Sequence, residues 1–418
     1  MRELFADTAP LRSIAFRRLW VAGIVTVIGA QLTVITVPAQ LYALTGSSGT
    51  VGLAGLFGLV PIIVFGLWGG ALADHFDRRK LLMVTTVGLI ATSALFFVQA
   101  ALGSTDPWLL LITFSVQQGF LAINQPTRSA ILPKLIPSEQ LPAANALQTT
   151  VMMAGAIVGP LIGGALMPLI GYSWLYLIDT VTLFATLAAV VWLPPLPVEN
   201  KIGSPGLRSI VDGFAYLRWH RVLLISFAVD LVAMIFGMPR ALYPEIATDV
   251  FGGPPGGGME FALLNTGIAI GAVAGGVFSG WYSRVRSQGL AVLVSVVVWG
   301  AAVTAFGAGL FAAPWAPGAV LAFAVAMLAV GGAADAASAA FRQSILLAAA
   351  DDAVRGRLQG IFIVVVTGGP RIADIVHGYA AEAVGAAWTT LGGGLLVVVG
   401  TVVLAALVPE FRRYQLLR

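Results

Sequence analysis

Apolar residues in this chain form long unbroken stretches instead of the alternating or amphipathic patterns of a soluble domain. From Leu19 to Ala73 there are 55 residues without Asp, Glu, Lys or Arg, whereas a membrane-crossing helix needs about 20 apolar residues. LTGSSGT (44–50) supplies a turn inside that stretch, so it predicts two helices. Uncharged runs also lie between Glu139 and Asp179, between Arg286 and Asp335, and between Glu382 and Glu410. Because the runs are continuous, they exclude a transmembrane barrel, whose strands alternate. Only helices satisfy their own backbone inside hydrocarbon. The runs and turn clusters together predict helices near 20–42, 51–73, 81–102, 108–130, 141–169 and 172–194. A second set is predicted near 222–244, 260–282, 288–311, 317–342, 358–380 and 387–408.

Charge placement then orients this all-α pattern. Of 23 Lys and Arg residues, all but Arg240 and Arg371 fall on the tails or on alternate connections. The set includes Arg12, Arg17 and Arg18; Arg78, Arg79 and Lys80; Arg128 and Lys134; Arg284 and Arg286; and Arg342, Arg355 and Arg357. The positive-inside rule therefore places both termini in the cytoplasm and requires an even number of spans. The first residues carry acids and four arginines ahead of a long apolar run, which reads as a retained tail and not a cleaved leader. Composition agrees with a membrane protein: 58% of residues are hydrophobic and 10% charged. Dispersed cations give no nucleic-acid patch despite the basic balance. Arg-for-Lys usage points to a GC-rich bacterial source, hence the inner membrane. With no cysteine, thiol catalysis and thiolate metal sites are excluded.

The halves repeat. GALADHFDRRK (70–80) lies over GVFSGWYSRVR (276–286), and TRSAIL (127–132) over FRQSIL (341–346). The predicted organisation is a six-helix bundle over 1–194, a cytoplasmic linker over 195–220 with a surface helix in SIVDGFAYLRW, and a second bundle over 221–418. Parallel repeats of this kind are expected to place a transport path between the halves.

Several segments resemble known transporters. GALADHFDRRK is similar to the loop after the second helix of the major facilitator superfamily, roughly G-x-L-A-D-R-x-G-R-R-K. Gly70, Leu72, Ala73, Asp74, Arg78 and Arg79 match it, while His75 and Asp77 replace a basic residue and a glycine. In that role, a carboxylate beside arginines is expected to latch the inward-closed gate through charge-assisted hydrogen bonds. GAIVGPLIGG (155–164) resembles the fifth-helix motif of proton antiporters through Gly155, Gly159, Pro160, Gly163 and Gly164. Glycines there bring helices close and the proline kinks one. The run 122–147, TGSSGTVGL (45–53), GFAYLRWHRVLL (213–224) and RGRLQG (355–360) resemble bacterial drug and siderophore exporters of the superfamily. The resemblance implies twelve helices, proton antiport, and export of a catecholate siderophore or related hydrophobic compound. It requires no cofactor beyond the proton gradient.

Ionisable residues inside predicted spans are the independent functional clue, because each costs about 2.5–3.5 kcal/mol at a helix centre. Asp230, Asp335, Arg371 and Asp374 are the candidates for proton coupling or the substrate path. Arg371 and Asp374 share a helical face and are spaced to pair, with His377 continuing that face. A fixed buried ion pair is the competing role. Asp179 reads as structural, and Arg240 as snorkelling or closing an outer gate. An importer of the same fold is the alternative function. An enzyme or ATP-driven pump is disfavoured, since no P-loop, H-E-x-x-H or G-x-S-x-G occurs and His75, His220 and His377 are scattered. The expected partners are a small-molecule substrate and the lipid bilayer, with one chain sufficient.

Overall fold

The computed structural model describes residues 7–194, 216–217, 220–255, 257–349 and 352–415. Most of the predicted linker, its surface helix included, lies outside them. Among the described residues the ordered elements are helices: α1 Ile14–Thr45, α2 Ser48–His75, α3 Arg78–Ala101, α4 Pro107–Leu135, then the single run Leu141–Val191. Gly171 interrupts that run at φ 77°, ψ 171°, a conformation that is essentially glycine's alone, so it comprises α5 (141–170) and α6 (172–191). There follow α7 Arg221–Phe236, α8 Met259–Val277, α9 Gln288–Leu310, α10 Pro317–Ala349, α11 Asp352–Val384 and α12 Ala386–Leu407. This is the all-α, twelve-helix architecture that the apolar runs predict.

Local chemistry starts these helices where the charges and turns fall. Asp77 caps α3 by accepting the Lys80 N–H at 3.0 Å, and Asp106 caps α4 by accepting the Trp108 N–H at 2.9 Å, each satisfying a first-turn donor. The Asp that departs from the loop motif is thus a helix cap. Trp108, Trp174 and Trp388 sit near the starts of α4, α6 and α12 with their rings largely exposed, as aromatic residues do at a membrane–water interface.

Two compact units emerge: Met1–Leu44 with Phe57–Ser204, and Thr45–Leu56 with Pro205–Arg418. In the first, α3 packs on α4 and on the α5–α6 run. The glycine face of α5 lies on α1. A Cβ built on Gly163 would come within 2.5 Å of Ile35 Cδ1 and 3.0 Å of Leu32 Cδ2; one on Gly159 would overlap Gln31, and one on Gly155 Val27. Pro160 is buried between them. A small-residue stripe lets two backbones approach where lipid provides no hydrophobic drive.

In the second unit α9 packs between α10 and α12, and α10 also against α8. The seventh span is not one continuous helix. It breaks after Phe236 and resumes as the short turns Arg240–Leu242, Tyr243–Glu245 and Ile246–Val250. The break follows from Gly237-Met238-Pro239, since proline has no N–H and disfavours helix at the residue before it. The buried Trp299 indole N–H of α9 donates to the freed Gly237 carbonyl at 3.2 Å. The first turns of α2 belong to this unit: a Cβ on Gly52 would lie 3.2 Å from Gly378 Cα of α11.

Because Gly159 faces α1 while nothing lies within 4 Å of a Cβ on Gly66, Gly159→Leu is expected to cost about 1–3 kcal/mol by overpacking. Gly66→Leu is expected to be close to neutral. Thermal unfolding of the two purified variants measures the difference, and equal melting temperatures contradict the packing assigned to α5.

Candidate functional site

Among the described residues of the second unit, two clusters of charged side chains stand out. In the first, Asp230 of α7 forms an ion pair with Arg342 of α10, the two side chains being 1% and 2% exposed. Arg342 Nη2 also lies 3.8 Å from Asp335 Oδ1, and its Nε donates to the Ser338 carbonyl at 3.4 Å. Asp335 and Arg342 are two turns apart on one face of α10, so a single helix presents both to α7. A cavity of about 10 Å³ opens beside Asp230 and Arg342, walled by Leu223, Ser226, Phe227 and Leu346, room for about one water. Among the described residues, two carboxylates and one guanidinium sum to one negative charge, so this set reaches neutrality only with one bound proton. Burial makes that neutrality matter, because an uncompensated charge out of water costs several kcal/mol.

The second cluster forms where α7 breaks. Arg240 Nη2 lies 3.9 Å from Asp374 Oδ2 of α11. Arg371 is one turn away on α11, and Tyr243 is fully buried on the short turn after the break. His377 is 2% exposed, with Nδ1 3.0 Å from the Ala373 carbonyl and Nε2 3.2 Å from the Phe236 carbonyl. Both neighbours are acceptors. A neutral imidazole has one N–H to offer them and an imidazolium has two, so His377 ties the α7 break to α11 more fully when protonated.

In the first unit the loop-motif arginines turn onto helix ends. Arg78 donates to the Ala130 carbonyl of α4 at 3.1 Å and Arg79 to the Val191 carbonyl of α6, while Arg18 lies over the Trp192 ring at 4.9 Å. Gly70 and Asp74 are within α2, but their side chains lie outside the description, and the predicted latch with them.

A family model described as transmembrane secretion effector matches residues 5–416. The chain belongs to this family. Its helices and matches are those of a multi-pass membrane transporter of the major facilitator type. The chain is 28% identical to the enterobactin exporter EntS of Shigella boydii serotype 18 over 412 residues, covering 96% of this chain and 93% of that one. With the enterobactin exporter EntS of Citrobacter koseri the identity is 27% over the same shares. Among solved structures, the nucleoside transporter NupG superposes with a TM-score of 0.69 at 14% identity, covering 96% of this chain and all of that one. A bacterial homologue of the iron transporter ferroportin, in an inward-facing state, gives 0.68 at 15%, covering 94% and 98%. At these identities the structural likeness speaks for the major facilitator fold alone.

Within that transporter fold, the four predicted intramembrane residues do not form one site. Asp230 and Asp335 meet across Arg342, and Arg371 and Asp374 meet Arg240 elsewhere in the same unit. Arg342 corrects the charge map: it was expected on a cytoplasmic connection, but it lies within α10 and is buried. Arg128 departs in the same way, sitting within α4 and donating to the Leu19 carbonyl of α1 at 3.2 Å. Their inward turn has a common cause, because each follows a helix face that continues past the apolar run. The repeat of TRSAIL on FRQSIL aligns Arg128 with Arg342, and that recurrence is the signal by which sequence marks them. Nothing in linear spacing pairs Arg240 with Asp374, which are brought together by the α7 break.

Removing Arg342 alone leaves two buried acids together. Arg342→Met is therefore expected to destabilise the protein by about 3–5 kcal/mol, and Asp230→Asn by less, since Asp335 remains to face the arginine. The double variant is expected to recover part of the loss of Arg342→Met. Chemical unfolding of the three variants tests this cycle, and strictly additive losses contradict the pairing.

Proposed function

We propose that this chain is a secondary active transporter that exports a small hydrophobic or amphipathic molecule, a siderophore or drug-like compound, by proton antiport with alternating access. The observation that carries the export reading is near full-length similarity to proteins named as enterobactin exporters. Support for proton coupling comes from the buried acids of the second unit. The Asp230–Arg342–Asp335 cluster is neutral only with a proton, and Asp374 faces Arg240 beside a histidine able to bind one. Substrate enters from the cytoplasmic side and leaves outward; a proton then occupies an acid in one cluster and allows the carrier to return. Exchange works because neighbouring cations favour the charged acid and burial favours the neutral one, so a helix movement that shifts Arg240 or Arg342 moves the proton.

The same reading places the protein in a bacterial inner membrane with both tails cytoplasmic, following the cation distribution. It functions as a monomer, with the proton gradient as energy source and no cofactor. The loop arginines Arg78 and Arg79, with Gly70 and Asp74, serve gating. The packed glycines Gly155, Gly159 and Gly163 with Pro160 provide the close helix contact of the antiporter-like motif.

Reconstitution into proteoliposomes with a catecholate siderophore and an imposed pH gradient tests the proposal. Siderophore is expected to move against the direction of proton flow, and a protonophore to abolish its accumulation. Asp374→Asn and Asp230→Asn are expected to lower gradient-driven accumulation about tenfold, the effect of roughly 1.4 kcal/mol of lost coupling, while downhill exchange persists. Accumulation in the same direction as protons assigns import instead, and indifference to the gradient removes the antiport mechanism.

A further inference from the structure

The first unit buries an acid of its own. Asp179 of α6 is 2% exposed. Its Oδ2 accepts hydrogen bonds from Thr33 of α1 at 2.7 Å and from Ser93 of α3 at 2.8 Å. Its Oδ1 is buried and has no hydrogen-bond partner. Among the described residues no basic side chain lies within ion-pair distance of it, and α1 and α3 face it with hydroxyls alone. The titratable neighbour is Tyr176, one turn earlier on α6.

Placement gives this acid meaning. PAQLY (38–42) on α1 matches PRALY (239–243) after α7, and counting back without a gap puts Gly29 at the position of Asp230. A Cβ on Gly29 would lie 3.1 Å from Asp179 Oδ1. Each unit therefore places a buried carboxyl at, or against, the matching sequence position of its first helix. In the second unit that helix supplies the acid and Arg342 neutralises it. In the first unit α6 supplies it into the space a glycine leaves, and no arginine comes with it. Two hydroxyl donors on one oxygen leave a carboxylate's other oxygen bare in an apolar interior, which is costly for a charge and far less so for a neutral acid.

We infer that Asp179 is a proton-binding site of the first unit, loaded and unloaded as α1, α3 and α6 shift against one another. Loading forms an O–H bond at Oδ1 and neutralises the carboxylate, unloading reverses it, and no other bond changes. Polar groups also lie between the site and the end of the unit where α3 gives way to the Asp106 turn. Ser93 also approaches the Tyr176 carbonyl at 3.4 Å, the Tyr176 hydroxyl donates to Gln40 at 2.9 Å, and Gln40 and Gln99 exchange amide bonds at 3.1 and 3.3 Å. That end lies opposite the arginine-rich connections, the side from which an exporter would take its protons.

This inference deepens the antiport proposal and rests on it, but infrared spectroscopy tests it without any substrate. The full chain in lipid is titrated from mildly acid to mildly alkaline pH, and its carboxylic-acid carbonyl band is compared with that of Asp179→Asn. A component of the band that is present near neutrality, lost on alkalinisation and missing from the variant is the expected result, since the acids of the second unit contribute to both proteins alike. A band identical in both proteins, or one that never responds to pH, overturns the inference. Thr33→Val keeps the test decisive if Asp179→Asn does not fold: removing one hydroxyl donor should displace the titration midpoint of the band, and an unmoved midpoint overturns the inference. If siderophore flux ignores the pH gradient while this band titrates as expected, the antiport proposal fails and the proton site stands.

Discussion

A charge taken out of water must be neutralised where it sits, by a counter-charge or by a proton, and this constraint organises the polar interior of the protein. Arg342 meets the demand for Asp230 and part of that for Asp335. Arg240 meets it for Asp374 at longer range and with more solvent. Asp179 has hydroxyl partners and, among the described residues, no cation. The three arrangements form a series from strongly to weakly compensated. Displacing a neighbouring helix alters that compensation, and with it whether the acid holds its proton.

Close helix packing makes such displacements definable. The glycines of α5 put α1 at a distance that side chains would forbid, and Gly29 does the same for α1 against α6. The acid at 179 and the glycine stripe consequently act on the same helix, α1. In the second unit the broken seventh span has a matching part: the Gly237-Met238-Pro239 interruption is held by Trp299 and His377, and it carries Arg240 to Asp374. Backbone irregularity here is tied down by side chains from α9 and α11, as non-helical backbone at membrane depth requires.

Much of this is legible in the sequence. Twelve helices and the repeat followed from uncharged runs and from motif spacing, because a bilayer imposes a length of about 20 apolar residues on each crossing. The polar helices were legible too: α11 announced itself by Arg371, Asp374 and His377. What misled was the assumption that cations near a run's end face water. It assigned Arg128 and Arg342 to connections, yet both helices extend further and turn those side chains inward. Asp77 looked like a defect in the loop motif and is an N-cap.

The chain's own order of residues determined the class of fold, the number of helices and the residue types that transport would use, because hydrophobic length and charge are one-dimensional properties in a membrane. Tertiary structure alone decided which acid meets which base. Asp230 and Arg342 are 112 positions apart, Asp374 and Arg240 134, and Asp179 and Thr33 146. Partners at such separations are chosen by helix crossing and by breaks such as Gly171 and Pro239. Local residues set the breaks, but which side chains the breaks and crossings bring together is decided by packing in three dimensions.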